Sequence, residues 1–359
     1  MHITDSFIES GLVKVAGKGV SRGGKRPEVL RVIPEARYFA GVDMSDSCVT
    51  CVIIDLKGRS IIKNSAAIDS NDTSQIDVVE RSIALLKETI SDSHIERSRL
   101  FGIGVGVPGI TNPETGIASS QSLQIYDYDM GLAFNRVFSV PIFVDNTAKV
   151  TAIAEKWYGS GQNEESFIML AFGRGIGSAM IVNGDIYRGC HNMSGEVGHT
   201  VVNVNGPLCR CGKRGCLEVL ASNSAIEKQA RGMLRDGFKS SMLEMAGGEI
   251  ENVTVRVVME AAEHGDHIAL MIAEEAIKYI VVGIENVVSL FDINFIIVTG
   301  RIFRKSAWLL NQLTNRLKDT CGRYHGGEEI ELVLAGLGND AAAIGAATLP
   351  LRSFVDNQD

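Results

Sequence analysis

The chain has 359 residues, 45% of them hydrophobic and 22% charged, which is enough for a large core and two or three domains. A membrane protein is excluded because the longest apolar stretch, Ile268–Phe291, carries four charged residues, and the first ten residues lack the pattern of a signal peptide. Seven cysteines without a secretory pattern indicate a reducing compartment, so we expect a soluble cytoplasmic protein in which clustered thiols hold metal.

Charge is distributed unevenly along the chain, whose net charge is −8. Residues 1–34 carry about +3, so the remainder carries about −11 and should repel nucleic acid. If the protein contacts DNA, it does so through these first 34 residues. The alternative is that the basic segment is a solvated tail, which is the commoner role of a short run of charge.

The chain begins with a pattern typical of a β-ribbon. Residues 6–12 predict the end of a helix closed by Gly11, followed by a strand at VKV, a basic glycine-rich loop and a second strand at EVLRVI. Two short strands around such a loop have the shape of the wing in a winged-helix domain, and Pro34 separates this unit from the rest. The wing would contact DNA through Arg22, Lys25 and Arg26.

From Tyr38 onward, strand and helix patterns alternate. Three strands are predicted at YFAGVDM, CVTCVIIDL and KGRSIIKNSAAI, then a helix over residues 76–90 and a buried strand, LFGIGVGVPGI, whose glycines indicate close packing rather than a nucleotide loop. Later strands are predicted at PIFVD, SFIMLAF, GSAMIVNG, FIIVTG and IELVLAG, and helices at Thr147–Tyr158 and Asp340–Leu349. This order, a hairpin sheet and then alternating helices and strands, occurs twice and predicts a two-lobed α/β protein with a central cleft.

The strongest local motif is a set of metal-ligand residues. His199, Cys209, Cys211 and Cys216 supply one imidazole and three thiolates, which is a complete tetrahedral set for a closed, structural zinc site. The alternative is three buried cysteines that happen to be close in sequence. Nearby glycines that let a loop wrap an ion favour one Zn²⁺ per chain, and the spacing matches no DNA-binding zinc finger.

Several motifs together resemble the ROK family (repressors, open reading frames, kinases). They are GEVGHTVV at Gly195–Val202, CRCGKRGCLEVLAS at Cys209–Ser222, GVGVPGI at 104–110, VDNTAKVTAIAEKWYG at 144–159, GRGIGSAMIVNGDIYRG at 173–189 and LGNDAAAIGAA at 337–347. The front of the chain resembles the wing of the family's repressors. The resemblance implies an actin-like, ribonuclease-H-like fold in two lobes, in either ATP-dependent hexose kinases or sugar-sensing regulators.

The resemblance also implies a domain plan. A remnant of a winged-helix domain would occupy residues 1–34, an N-terminal lobe 35–145, and a C-terminal lobe with the zinc loop 146–339. Residues 340–359 would form a helix that returns to the N-terminal lobe. Members are usually dimeric or tetrameric, so we expect a homodimer or homotetramer.

The family's sugar-binding positions correspond to five residues of this chain. They are Gly109, Asn146, Glu196, His199 and Glu218. Carboxylates and an amide make directional hydrogen bonds to vicinal hydroxyls, and a metal on one nitrogen of His199 would fix where the other points. The alternative for Glu196 and Glu218 is that they are ordinary surface charges.

The positions that carry out phosphoryl transfer in the family's kinases differ here. The catalytic aspartate, which follows the pocket asparagine, is Thr147, and a hydroxyl has no useful basicity near neutral pH. In the first phosphate loop, Ser45 and Asp46 stand where the family has two glycines. Arg174 occupies the second phosphate loop, and Arg301 follows Gly300 in the turn on the adenosine side. The sequence therefore predicts no catalytic residues and no use of ATP.

The leading hypothesis is a transcriptional repressor whose effector is a sugar or sugar derivative. A groove-reading helix should precede the wing, so operator DNA is an expected partner only if a helix-turn-helix lies upstream; otherwise DNA binding has been lost. The second hypothesis is a glucokinase-type or N-acetylhexosamine-type sugar kinase with an altered site. The third is a sugar-binding subunit with neither activity.

Overall fold

In a computed structural model, residues 3–18, 26–45, 47–68, 75–321 and 329–356 are described. They fall into two compact units: the chain up to Ala154 together with residues from Asp340 onward, and residues 155–339. The chain passes from one unit to the other inside a helix that begins at Thr147.

The front of the chain contains a short helix and a hairpin. These are α1 (Ile3–Glu9), β1 (Val13–Lys18) and β2 (Glu28–Val32). Gly11, at φ +70°, ends the helix, and the two strands pair antiparallel. The local pattern is thus the predicted ribbon, while its assignment to a winged-helix domain stays a prediction. Arg26 lies exposed just before β2, whereas Arg22 and Lys25 lie outside the described residues.

The rest of the first unit begins with a five-stranded sheet. In chain order its elements are β3 (Tyr38–Met44), β4 (Cys48–Asp55), β5 (Ser60–Ala67), α2 (Gln75–Asp92), β6 (Leu100–Val107), β7 (Ile110–Thr111), β8 (Ile117–Ser120), β9 (Ile125–Asp129), α3 (Met130–Asn135), β10 (Ile142–Asn146) and α4 (Thr147–Tyr158).

The second unit contains the longer run of helices, after which the chain returns to the first unit. The elements are β11 (Phe167–Phe172), β12 (Ile176–Val182), β13 (Asp185–Ile186), α5 (Leu217–Ala221), α6 (Asn223–Arg235), α7 (Ser241–Met245), α8 (Val255–Glu263), α9 (His267–Phe291), β14 (Phe295–Thr299), α10 (Arg301–Lys305), α11 (Ala307–Cys321), β15 (Glu331–Leu334) and the final α12 (Ala341–Asp356).

The two units contain five-stranded sheets with the same strand order. In the first, the order is β10-β6-β3-β4-β5, and in the second it is β15-β14-β11-β12-β13. In each, three strands pair antiparallel as a meander and two more add in parallel beside the first strand. The predicted α/β architecture, with its hairpin sheet repeated twice, is therefore confirmed within each unit. No helix among the described residues is long and apolar enough to cross a membrane.

Glycine positions bring α12 unusually close to the first sheet. A Cβ atom on Gly41 would lie 2.1 Å from the carbonyl oxygen of Ala343, and one on Gly104 would lie 1.8 Å from that of Ala346. The strand glycines thus permit close packing, as the sequence indicated. The helix continues past the predicted end at Leu349, through Pro350, because Phe354 packs against Phe39 and Phe101.

Candidate functional site

The four predicted metal ligands lie together in the second unit. The ligand atoms of His199, Cys209, Cys211 and Cys216 all lie within 4.8 Å of one another. Cys209 Sγ lies 3.6 Å from His199 Nδ1, and Cys211 Sγ lies 3.6 Å from Cys216 Sγ. Zn²⁺ binds sulfur at ~2.3 Å and nitrogen at ~2.0 Å, so a four-ligand cluster of this size and chemistry fits a tetrahedral zinc ion.

The loop that holds the cysteines is shaped by backbone hydrogen bonds and one glycine. The amide of Cys209 donates to the Lys213 carbonyl at 2.7 Å, which closes a tight turn between the cysteines. Gly215 has φ +68°, and a Cβ there would lie 1.5 Å from the Asn203 carbonyl oxygen, so only glycine fits. Burial, reinforced by the neighbouring thiols, raises the pKa of Cys216 to about 12. A bound cation would oppose this rise because it stabilises the thiolate.

The GEVGH segment is a tight turn that lies against β12. The amide of His199 donates to the Glu196 carbonyl at 3.0 Å, so these two predicted sugar ligands belong to one 3₁₀ turn. A Cβ on Gly198 would lie 2.2 Å from the Ile176 carbonyl oxygen. The Ser178 hydroxyl donates to the Gly195 carbonyl and accepts from the Val197 amide. Ser178 of β12 therefore holds the turn through both Gly195 and Val197.

Glu218, at the start of α5, is buried and already has two partners. Its carboxylate accepts a hydrogen bond from the Ile176 amide at 3.1 Å and one from Arg210 at 3.3 Å. Gly175 cannot carry a side chain, because its Cβ would lie 2.3 Å from a carboxylate oxygen of Glu218. Glu218 is therefore not an ordinary surface charge, and it connects the cysteine loop, through Arg210, to the turn before β12.

The predicted sugar ligands of the first unit contact each other directly. The side-chain amide of Asn146 donates to the Gly109 carbonyl at 2.6 Å. The side-chain oxygen of Asn146 accepts from the Lys149 amide at 3.1 Å and so caps the start of α4. Gly109 has φ +123°, and a Cβ there would lie 2.3 Å from the Ser119 carbonyl oxygen. One amide hydrogen of Asn146 remains available for another acceptor.

At the predicted position of the catalytic base, a threonine contacts a carboxylate. Thr147 is the first residue of α4, and its hydroxyl donates to a carboxylate oxygen of Asp43 at 3.3 Å. Burial raises the pKa of Asp43 to about 7, although the hydrogen bond from Thr147 opposes the rise. In the adjoining β3–β4 turn, the Ser45 hydroxyl donates to the Cys48 carbonyl at 2.8 Å. That hydroxyl holds the turn together, and Asp46 lies outside the described residues.

The other altered loops lie in the second unit. Arg174 is exposed in the turn between β11 and β12, where the Gly173 amide donates to the Gly175 carbonyl at 2.9 Å. Gly300 has φ +137°, and a Cβ there would lie 2.3 Å from the Phe172 carbonyl oxygen. The turn before Arg301 therefore requires glycine at position 300, because any side chain there would collide with β11.

The structure thus brings each set of predicted residues together within its own unit. Gly109 and Asn146 belong to the first unit, and Glu196, His199 and Glu218 belong to the second. Sequence reasoning missed Arg210 and Ser178, which position the predicted ligands. The position of Arg210 between two cysteine ligands was a signal of its role. Ser178 lies within a predicted strand, and nothing in the local sequence distinguishes it from the other strand residues.

Comparisons with known proteins bear on the family to which the chain belongs. A sequence model described as "ROK family" matches residues 39–353. The chain is 27% identical to a protein named xylose repressor from Bacillus spizizenii, over 98% of this chain and 87% of the repressor.

Two solved structures share the fold. One is a ROK family transcriptional regulator described as a homologue of the E. coli MLC protein, with a TM-score of 0.82 and 24% identity, over 99% of this chain and 88% of the regulator. The other is a ROK hexokinase from Thermus thermophilus, with a TM-score of 0.71 and 25% identity, over 89% of this chain and 99% of the hexokinase. The regulator therefore matches more of this chain than the hexokinase does.

Proposed function

Since the chain belongs to the ROK family, we propose that it is a transcriptional repressor that responds to a sugar and does not phosphorylate it. One contrast carries the proposal. The GEVGH turn and the zinc loop keep every predicted ligand, whereas the residue at the base position is Thr147, whose hydroxyl donates to Asp43. Similarity to a protein named xylose repressor, over 98% of this chain, supports the same function.

The sugar ligands in this proposal are Gly109, Asn146, Glu196, His199 and Glu218. Asn146 would use its remaining amide hydrogen, and the two carboxylates would accept from sugar hydroxyls. Glu218 contributes in a second way, because its bonds to Arg210 and to the Ile176 amide make it a rigid acceptor. Rigid ligands lose little entropy on binding, which favours affinity.

We propose that His199, Cys209, Cys211 and Cys216 hold one structural Zn²⁺ per chain. Four protein ligands leave no position for a reacting group, so the ion would stabilise the loop rather than act on a substrate. Bonding through His199 Nδ1 would fix the ring and direct Nε2 away from the metal. The same ring would then present one defined hydrogen-bonding atom to a sugar.

Operator DNA is the second proposed partner. Paired Lys14 and Arg31 lie on one face of the β1–β2 ribbon, because residues Val13 and Val15, on either side of Lys14, point the opposite way. Together with exposed Arg26, this face would contact phosphates, whereas base recognition would require a helix-turn-helix ahead of the ribbon. This role also leads us to propose a cytoplasmic homodimer or homotetramer, which light scattering would test.

One observation favours a second function, that of a sugar kinase with an unusual base. Asp43 contacts Thr147, and its raised pKa of about 7 is suited to general-base catalysis near neutral pH. In this alternative, Asp43 would accept the proton of the attacking hydroxyl. The altered phosphate loops, Arg174 and the closed turn at Ser45, weigh against it.

Calorimetry with a panel of monosaccharides, combined with a coupled assay at millimolar ATP and magnesium, separates these functions. We expect one sugar to bind and no ADP to form, either with the parent chain or with Thr147→Asp, because a base alone cannot position a triphosphate. Turnover by the parent chain would establish the kinase function instead. If a sugar binds but does not change the affinity of the chain for promoter DNA, the function is that of a sugar-binding subunit.

A further inference from the structure

An exposed tyrosine lies near the proposed sugar ligands of the first unit. Tyr126, in β9, is 62% exposed, more than any other Phe, Tyr or Trp in the described part of the chain. Its side chain makes no hydrogen bond, ion pair or ring contact with another described residue. A tyrosine combines a large apolar ring with a polar tip, and a ring that no neighbour covers is free to contact a ligand.

The backbone around Tyr126 fixes the direction of its ring. Gln124 has φ +53° and Asp127 has φ +45°, in the left-handed region that residues other than glycine adopt rarely and at a cost in energy. Between them, Ile125 is buried and pairs with Ser120 of β8. Successive residues of a strand point to opposite faces, so the burial of Ile125 directs Tyr126 outward.

Asp127, the next residue, is connected to the proposed sugar ligands through Ser119. Its carboxylate accepts from the Ser119 hydroxyl at 3.0 Å, and its amide donates to the same hydroxyl at 2.9 Å. The Ser119 carbonyl lies against Gly109, where a Cβ would approach it to 2.3 Å, and the Gly109 carbonyl accepts from the side-chain amide of Asn146. Asn146, Gly109, Ser119 and Asp127 therefore form one continuous set within the first unit.

We propose that Tyr126 and Asp127 are further sugar-binding residues, an inference that rests on the proposed function. A pyranose ring has an apolar face of C–H groups and a rim of hydroxyls. The apolar face would pack on the ring of Tyr126, and a rim hydroxyl would donate to the carboxylate oxygen of Asp127 that Ser119 does not use. The site thereby selects a sugar in its closed pyranose form, because an open chain presents no flat C–H face.

Calorimetry on the full chain tests both contacts, with D-glucose, D-xylose and N-acetyl-D-glucosamine as probes. For whichever of these binds the parent chain most tightly, Tyr126→Leu should weaken binding about 3- to 10-fold, because leucine is apolar but has no ring face. Tyr126→Phe keeps the ring and should bind as the parent does. Asp127→Asn should weaken binding about tenfold or more, the loss expected for one charge-assisted hydrogen bond. Asparagine tolerates the left-handed backbone at this position.

The matched control is Phe238→Leu, which alters an exposed aromatic residue of the second unit and should leave sugar affinity unchanged. Thermal unfolding of the variants should match that of the parent, so that a loss of affinity reports a lost contact. Parent affinity in Tyr126→Leu, or an equal loss in Tyr126→Phe, would overturn the ring contact, and parent affinity in Asp127→Asn would overturn the hydroxyl contact. The proposed function would stand in both cases. If the parent chain binds none of the three sugars, the proposed function loses its support and this inference fails with it.

Discussion

The cysteine loop at Cys209–Cys216 with its GEVGH turn and the Asp43–Thr147 pair differ in which of the predicted functional residues are present. In the loop, the ligand residues and the glycines that allow close backbone packing are all present. At the pair, Thr147 stands at the predicted position of the base, and its hydroxyl donates to the partly buried carboxylate of Asp43. This contrast between the predicted binding groups and the altered base position is what supports the proposed repressor function over the kinase alternative.

Removing one of the proposed zinc ligands would test the first region most severely. We expect Cys216→Ser to abolish metal binding and to lower the free energy of unfolding by more than about 4 kcal/mol, because a closed metal site would stabilise the whole loop. Elemental analysis and urea unfolding measure both effects. Cys190→Ser removes an exposed cysteine outside the cluster and serves as the control. Full metal content in Cys216→Ser would show that the cluster is not a zinc site.

A smaller effect is expected from a single methyl group in the GEVGH turn. The Cβ of Gly198→Ala would meet the Ile176 carbonyl at 2.2 Å, so we expect a loss of about 3 kcal/mol and weaker sugar binding. Gly232→Ala, in α6, meets nothing within 4 Å and should be neutral or slightly stabilising. If both variants unfold at the parent's urea concentration, the close packing described for the turn is incorrect.

A charge change in the same turn should act on binding alone. Because one charge-assisted hydrogen bond contributes ~1.5–3 kcal/mol, Glu196→Gln should weaken sugar binding about 10- to 100-fold. Glu196 is exposed, so thermal stability should not change. Calorimetry against Glu165→Gln, which alters an exposed glutamate outside the proposed site, measures the difference. Unchanged sugar affinity in Glu196→Gln would remove this residue from the site.

The Asp43–Thr147 pair makes a prediction about pH. Between the ordinary pKa of 3.8 and about 7, the folded chain keeps a proton on Asp43 that the unfolded chain releases, so rising pH lowers stability. Asp43→Asn should therefore stabilise the protein at pH 8 by about 1–2 kcal/mol, a value reduced for its partial exposure, and have little effect at pH 4. Urea unfolding at both values, with exposed Asp92→Asn as control, measures it. A variant less stable than the parent at pH 8 would show that Asp43 is charged and favourably bound there.

Local patterns predicted several elements well. The helix at Thr147–Tyr158 and the strand at Tyr38–Met44 have the predicted bounds, because each has a clear start signal and an uninterrupted periodicity. The metal cluster was also predictable, since its ligands are close in sequence and chemically specific.

Other features depend on contacts that no local pattern contains. The short helices between Leu217 and Glu263 include two of five residues, too short for periodicity to be decisive. The bond between Arg210 and Glu218 arises from the folded loop, and Glu218 also needs the distant Ile176 amide. The helix through Pro350 is stabilised by tertiary packing that overrides proline's local effect.

The close packing of α12 on Gly41 and Gly104 has a consequence for synthesis on the ribosome. Strands β3 and β6 are made well before the helix that fits against their glycines. At ~5–20 residues per second, the roughly 230 residues between β6 and α12 take ~12–47 s to appear. The intervening unit, which is continuous in sequence, is therefore free to fold first. The first unit is therefore begun before the second unit and completed after it, and in the meantime its sheet lacks the helix that packs on Gly41 and Gly104.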